Sequence, residues 1–209
     1  MVKVKVCGIT NFEDAQVSAQ AGCDALGFIF YKKSPRYIPP EEASKIIARL
    51  PSHPHIAKIG VFVNAREKTI RRIAGLCNLD MLQFHGNESP EFCRRFKGHR
   101  VIKAFRVGNK GRLGHVLDYK PFAYLFDTFM EKKAGGTGKA FNWKMVRHID
   151  GLKRPVFLSG GLNAQNIRKA IGIVHPEWVD VSSGVEVRPG KKNGCKVREF
   201  IRAAKGCAI

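Results

Sequence analysis

The feature that most constrains this chain is an alternation carried through eight times. Short runs of β-branched or aromatic residues are each followed by a stretch whose apolar residues recur at helical spacing. Runs of the first kind make strands, and i, i+3, i+4, i+7 spacing makes one apolar helix face, so the pattern is that of βα units building a parallel sheet. The expected strands are residues 2–7, 24–30, 57–63, 79–84, 100–105, 122–127, 155–159 and 178–182. Between them, Ala43, Ile46, Ile47 and Leu50 form a helical stripe, as do Ile70, Ile73, Ala74 and Cys77. The stripe returns as Ile167, Ala170, Ile171 and Val174, and again as Val197, Phe200, Ile201 and Ala204 in a closing helix. Helix starts are marked by Asn11 with Asp14, Pro40 before two glutamates, Ser89 before Pro90, and Asn163. The fifth unit is the weakest. Its connecting segment GNKGRLGHVLDYKP (108–121) holds only a short helical pattern, so a shortened fifth helix of one or two turns is expected.

Eight such units close most economically into a small (β/α)8 TIM barrel, an α/β fold with helices around a parallel barrel. An open doubly wound sheet is the alternative, and the lack of a glycine fingerprint after the first strand counts against it. No Pro/Gly/Ser linker divides the chain, and 209 residues of 44% hydrophobic content suit one core. Residues 1–209 are therefore read as a single catalytic domain. No apolar run reaches the ~20 residues of a membrane span, and MVKVKVCGIT is not a secretory signal, which points to a soluble cytoplasmic protein. The six cysteines, at 7, 23, 77, 93, 195 and 207, form no CxxC pair, and His53, His55 and His85 have no ligand spacing. Neither a metal site nor a disulfide framework is expected. The net charge of +20 favours anionic partners, nucleic acid and phosphorylated metabolites alike.

A barrel of this kind assembles its site from the carboxyl ends of the strands and the loops that follow. Those ends carry Cys7-Gly8, Gln83-Phe84-His85-Gly86, Asp127-Thr128, Ser159-Gly160-Gly161 and Asp180-Val181-Ser182-Ser183-Gly184. The side-chain period of two places Val2, Val4 and Val6 on one face of the first strand and Lys3, Lys5 and Cys7 on the other. With the valines toward the helices, Cys7 faces the barrel axis with Lys5 one layer below. The ammonium is expected to lower the thiol pKa from ~8.5, the direction a general base needs. Position alone also fits an inert buried cysteine.

Asp127 closes the apolar run PFAYLF at a partly shielded rim, where burial raises a carboxyl pKa and suits a general acid. A helix cap or an ion-pair partner is the other reading. SGGLN (159–163) and SSGVE (182–186) offer glycine-exposed N–H groups where such barrels bind phosphate. GGTGKAFNW (135–143) is not a P-loop, since Lys133 stands where glycine is needed and Ala140 where a hydroxyl is needed. It is read as a mobile loop over the site. Arg36, in the proline-stiffened KKSPRYIPP, offers a planar fork for a carboxylate or is an ordinary surface arginine.

Taken in order, KVCGIT, LGFIF with KKSPRYI, GVFVN, LQFHG, FDT, GGTGKAFNW, SGGLN and VDVSSGVE resemble the phosphoribosylanthranilate isomerase family of tryptophan biosynthesis, from residue 3 to about 192. The resemblance implies an Amadori rearrangement of N-(5-phosphoribosyl)anthranilate to 1-(2-carboxyphenylamino)-1-deoxyribulose 5-phosphate, with no metal or organic cofactor. It implies that Asp127 protonates the furanose ring oxygen and that Cys7 removes the C2′ proton. By the same resemblance Arg36 holds the anthranilate carboxylate, Asp180 contacts the sugar hydroxyls, and Gly160, Gly161, Ser183 and Gly184 bind phosphate. Gln83 and His85 match positions lining the pocket. The implied partner is a small phosphorylated substrate, with no membrane, and the protein is expected as a monomer or homodimer. The departures are minor: Cys23 lies where alanine is common, Phe84 where leucine is common, and Cys207 is extra.

Two rivals stand beside this reading. One is the same barrel acting on a related aminoaldose phosphate, as in histidine biosynthesis, or on both substrates. The Cys7 and Asp127 pair argues against it, because the histidine-pathway isomerase is recognised by aspartates at both strand ends. The other is a basic nucleic-acid-binding protein, suggested by CRRFKGHR (93–100) and RPGKKNGCKVR (188–198). Both runs are read as solvated faces, and no zinc-finger, RNP or helix-turn-helix pattern accompanies them, so no specific nucleic acid is expected.

Overall fold

The computed structural model describes residues 1–50, 56–107, 115–127, 143, 146 and 152–206. Eight strands pair in parallel: β1 (Lys3–Cys7), β2 (Ala25–Ile29), β3 (Ala57–Phe62), β4 (Met81–Phe84), β5 (Arg100–Arg106), β6 (Ala123–Asp127), β7 (Val156–Ser159) and β8 (Trp178–Val181). β8 returns to pair with β1, so the sheet closes into a barrel and leaves no edge. Around it lie α1 (Phe12–Gln20), α2 (Pro40–Arg49), α3 (Glu67–Leu76), α4 (Pro90–Arg94), α5 (Ile167–Val174) and α6 (Gly194–Lys205). A short antiparallel hairpin, β9 (Glu186–Arg188) and β10 (Lys191–Lys192), follows β8. In the fifth unit the described residues hold a single 3₁₀ turn, Val116–Asp118.

The alternation along each strand divides two cores. Val2, Val4 and Val6 are buried in the helix-facing layer with Leu26, Phe28, Phe84, Val179 and Phe200. The opposite phase fills the barrel with Ala25, Ile59, Met81, Ile102, Leu125, Phe157 and Trp178. Phe157 and Trp178 stack with ring centroids 4.7 Å apart, and register places Lys5 beside Asp180, one layer above Trp178. The lower barrel is therefore apolar and the upper barrel polar. The helical stripes pack as their spacing requires: Val197, Phe200, Ile201 and Ala204 of α6 are all buried, each large one contributing roughly 1.5–3 kcal/mol.

Local signals set most helix starts. Asn11 accepts from the Asp14 N–H at 2.9 Å while its amide donates to the Asp14 carboxylate at 2.8 Å, and Ser89 caps α4 by accepting from the Phe92 N–H. The expected start at Asn163 is corrected. Its side chain accepts from the N–H groups of Gln165 and Asn166, shaping a turn, and α5 begins only at Ile167. Among the described residues no helix is long and apolar enough to cross a membrane.

Candidate active site

A hollow of about 1500 Å³ opens at the amino-terminal mouth of the barrel beside Lys3, Met81, Arg100 and Trp178. The polar strand ends gather at the other mouth. Cys7 ends β1 with 6% of its surface exposed. Its register partner on β2 is Gly27, where a Cβ would lie 2.8 Å from Cys7 Sγ and 3.0 Å from Lys5 Cε. Only glycine leaves room for both side chains. Lys5, wholly buried, donates to Gln83 Oε1 at 2.6 Å and lies 3.1 Å from Asp180 Oδ1.

The expected lowering of the Cys7 pKa is corrected. Burial pushes the thiol up, and the Lys5 and Lys192 ammoniums, working the other way, do not offset it. Asp180 adds to the rise. The physical reason is that burial disfavours the charged thiolate more than the two ammoniums favour it. Burial disfavours the Lys5 ammonium too, but Asp180 and Cys7 lift its pKa above the ordinary lysine value.

Asp127 ends β6 across the mouth, one-fifth exposed, with Oδ2 3.3 Å from His85 Nε2. His85 Nδ1 in turn lies 3.1 Å from Gln83 Nε2. The fold thus brings Cys7, Gln83, His85, Asp127 and Asp180 to one rim, as their strand-end positions predict. Asp180 is also contacted by Ser159, whose hydroxyl donates to Oδ2 at 3.3 Å. The loop carrying His85 is clamped from behind by Glu88, which accepts from the N–H groups of Asn64 and Gly86. Glu88 pairs with buried Lys103 at 3.0 Å, and Lys103 also donates to the Gly86 carbonyl.

Arg36 reaches the same rim, but one edge of its fork is taken. Nε and Nη2 grip Glu186 at 2.8, 3.1 and 2.6 Å, which leaves the end-on edge, Nη1 with the second N–H of Nη2, outside this grip. On its other side Glu186 pairs with Lys192 at 2.9 Å, and Lys192 donates to the Cys7 carbonyl. Burial raises the Glu186 pKa, yet its hydrogen bonds from Arg36 and Lys192 bring it below the ordinary carboxyl range. Gly160 and Gly161 have φ of 96° and 65°, and beyond β8 the 3₁₀ turn Ser183–Val185 begins. A Cβ on Gly184 would stand 1.9 Å from the Leu162 carbonyl oxygen, so the loops after β7 and β8 meet there. The segment 135–142 lies outside the described residues, and Trp143 beyond it is buried. Among the described residues no group of three His, Cys, Asp or Glu is placed to hold a metal ion.

Residues 4–203 match the family model described as N-(5'phosphoribosyl)anthranilate (PRA) isomerase. The chain belongs to the phosphoribosylanthranilate isomerase family. It is 50% identical over 205 residues to the N-(5'-phosphoribosyl)anthranilate isomerase of Pelobacter propionicus, covering 98% of this chain and 96% of that one. The crystal structure of the Thermotoga maritima isomerase superposes with a TM-score of 0.91 at 46% identity, covering 99% of this chain and 100% of that one. A second isomerase structure, in complex with reduced 1-(o-carboxyphenylamino)-1-deoxyribulose 5-phosphate, gives 0.89 at 44% identity with the same coverage. The family's reaction, an isomerisation in tryptophan biosynthesis, is therefore the reaction of this chain, and neither the histidine-pathway nor the nucleic-acid reading is favoured.

Several residues of this isomerase site escaped the sequence. Glu186 closes the SSGVE loop but showed no sign of gripping Arg36. Lys192 was expected on a solvated face, and that is corrected: only 1% of its side chain is exposed, because the hairpin turns it inward onto Glu186. Lys103 lies between Ile102 and Ala104 in an apolar strand, a placement that signals a buried cation but not its partner.

Proposed function

We propose that Asp127 and Cys7 carry the rearrangement as acid and base on opposite sides of the barrel mouth. Asp127 gives its proton to the furanose ring oxygen as the C1′–O bond breaks, and the anilino nitrogen supplies the electron pair for the C=N bond. The Cys7 thiolate then takes the C2′ proton, the C–H pair forms a C1′=C2′ bond, and the iminium collapses to an enolamine. Tautomerisation gives the ketone. C1′ is reduced as C2′ is oxidised, so the step balances within the substrate and acid and base groups suffice.

The observation that carries this reading is the placement of the two side chains at the ends of β1 and β6, joined across the mouth through Lys5, Gln83 and His85. The raised thiol pKa means that the resting group is a thiol; the small thiolate fraction is a correspondingly stronger base. The free edge of Arg36 receives the anthranilate carboxylate, Asp180 with Ser159 orders the sugar hydroxyls, and Gly160, Gly161, Ser183 and Gly184 present N–H groups to phosphate. The charge of +20 helps collect so anionic a substrate. The same reading makes the chain a one-domain cytoplasmic enzyme. Loss of anthranilate-adduct fluorescence tests it. Cys7→Ala and Asp127→Asn are each expected to lower kcat by orders of magnitude with an unchanged circular dichroism spectrum, and near-normal turnover by either refutes it.

A further inference from the structure

Three contacts run in file across the mouth from β1 to β6. Lys5 Nζ lies 2.6 Å from Gln83 Oε1, Gln83 Nε2 lies 3.1 Å from His85 Nδ1, and His85 Nε2 lies 3.3 Å from Asp127 Oδ2. The direction of every proton in this file follows from its first member. An ammonium has three N–H groups and accepts nothing, so the Gln83 atom facing it must be the oxygen. The Gln83 NH₂ then faces His85, and an NH₂ only donates, so Nδ1 must accept and carries no proton. A neutral imidazole with Nδ1 bare holds its proton on Nε2. Nε2 is the atom that faces Asp127.

We propose that Lys5, acting through Gln83, fixes His85 as a neutral imidazole whose Nε2–H points at Asp127, and that His85 is thereby the positioning residue for the acid. The imidazolium form is opposed because it would set Nδ1–H against the Gln83 NH₂, two donors head to head beside a buried amide. This neutrality has a use, which rests on the reading of Asp127 as the acid. A cationic histidine at 3.3 Å would hold Asp127 ionised and leave it no proton to give. A neutral N–H donor interacts most strongly with the carboxylate that forms as the proton leaves, so it favours the transition state over the ground state. The spacing is long for the free enzyme, and contacts of this kind commonly shorten once substrate is bound. The clamp of Glu88 and Lys103 on Gly86 keeps the imidazole from swinging out of the file. Above the pair, Arg106 stands at the register position beside Asp127 and is exposed, and Cys7 and Asp180 flank Lys5.

The test is ¹⁵N NMR of histidine-labelled free enzyme at neutral pH, with His85→Gln used to assign the resonance among seven histidines. The expected spectrum shows a bare, pyridine-like Nδ1 and a protonated Nε2. In Gln83→Glu the new carboxylate accepts from Lys5 and from Nδ1–H, so the proton is expected on Nδ1, with kcat lowered about 10- to 100-fold and KM changed far less. His85→Gln, which keeps an amide N–H near the Nε2 position, is expected to retain more turnover than His85→Ala. A wild-type His85 with a proton on Nδ1, or a Gln83→Glu spectrum unchanged from wild type, overturns the proposal. Near-normal turnover by Asp127→Asn would remove the acid reading alone and leave the tautomer result standing.

Discussion

Neutralising Glu186 is the perturbation whose cost follows most directly from the structure. Its carboxylate, 4% exposed, sits between Arg36 and Lys192 and accepts the Gly190 N–H as well. Glu186→Gln keeps the shape but offers one accepting oxygen in place of two, and turns an NH₂ toward a guanidinium or an ammonium. Removing one partner of a buried ion pair costs about 3–5 kcal/mol. Because the Arg36 side chain is one-fifth exposed, water screens part of the loss, and the lower end applies. At about 2–4 °C per kcal/mol for a chain of this length, Tm should fall by roughly 6–12 °C. Urea titration with linear extrapolation gives the free energy directly. The loss should also shrink on acidification. The wild-type carboxyl has a depressed pKa, so its contribution is present above the unfolded value and disappears as pH falls through the folded one. With Arg36 no longer held, KM should rise about tenfold, by the energy of one such hydrogen bond. A stability change below about 1 kcal/mol at pH 7 would refute the assignment of Glu186 as the brace of this cluster.

Two further outcomes concern the thiols. On the proposal that Cys7 is the base and acts as the thiolate, burial of the thiol should keep the kcat/KM profile rising past the ordinary thiol range; a plateau reached by about pH 8 would contradict it. Burial pushes Cys23 up to about 12, so the unfolded chain loses this proton first and stability falls by as much as about 1.4 kcal/mol per pH unit above ~8.5. Urea midpoints at several alkaline pH values check this, and Cys23→Ala should flatten the slope.

Much of this site could be read from strand period alone. Val2, Val4 and Val6 mark the helix-facing side of β1, and so put Cys7 over Lys5 on the side that faces the barrel. What period could not supply was the company Lys5 keeps, because Gln83 and Asp180 arrive from distant strands and are set by barrel closure. Nor does period give the depth to which barrel closure buries the Cys7 thiol, and that burial sends its pKa up. Lys192 is hidden for a related reason: a basic run reads as solvated until a hairpin turns one of its members onto a carboxylate. Asn163 carried a true capping signal, but its partners were Gln165 and Asn166, one turn ahead of the helix.

Gly27 ties three positions into one unit of inheritance. A single methyl group there would press on the Cys7 thiol and on the end of the Lys5 stem beneath it at once. Homologues that keep a lysine at 5 and a cysteine at 7 should therefore never explore another residue at 27. A lineage that exchanged the thiol for another side chain would find its freedom to do so set by the neighbouring strand.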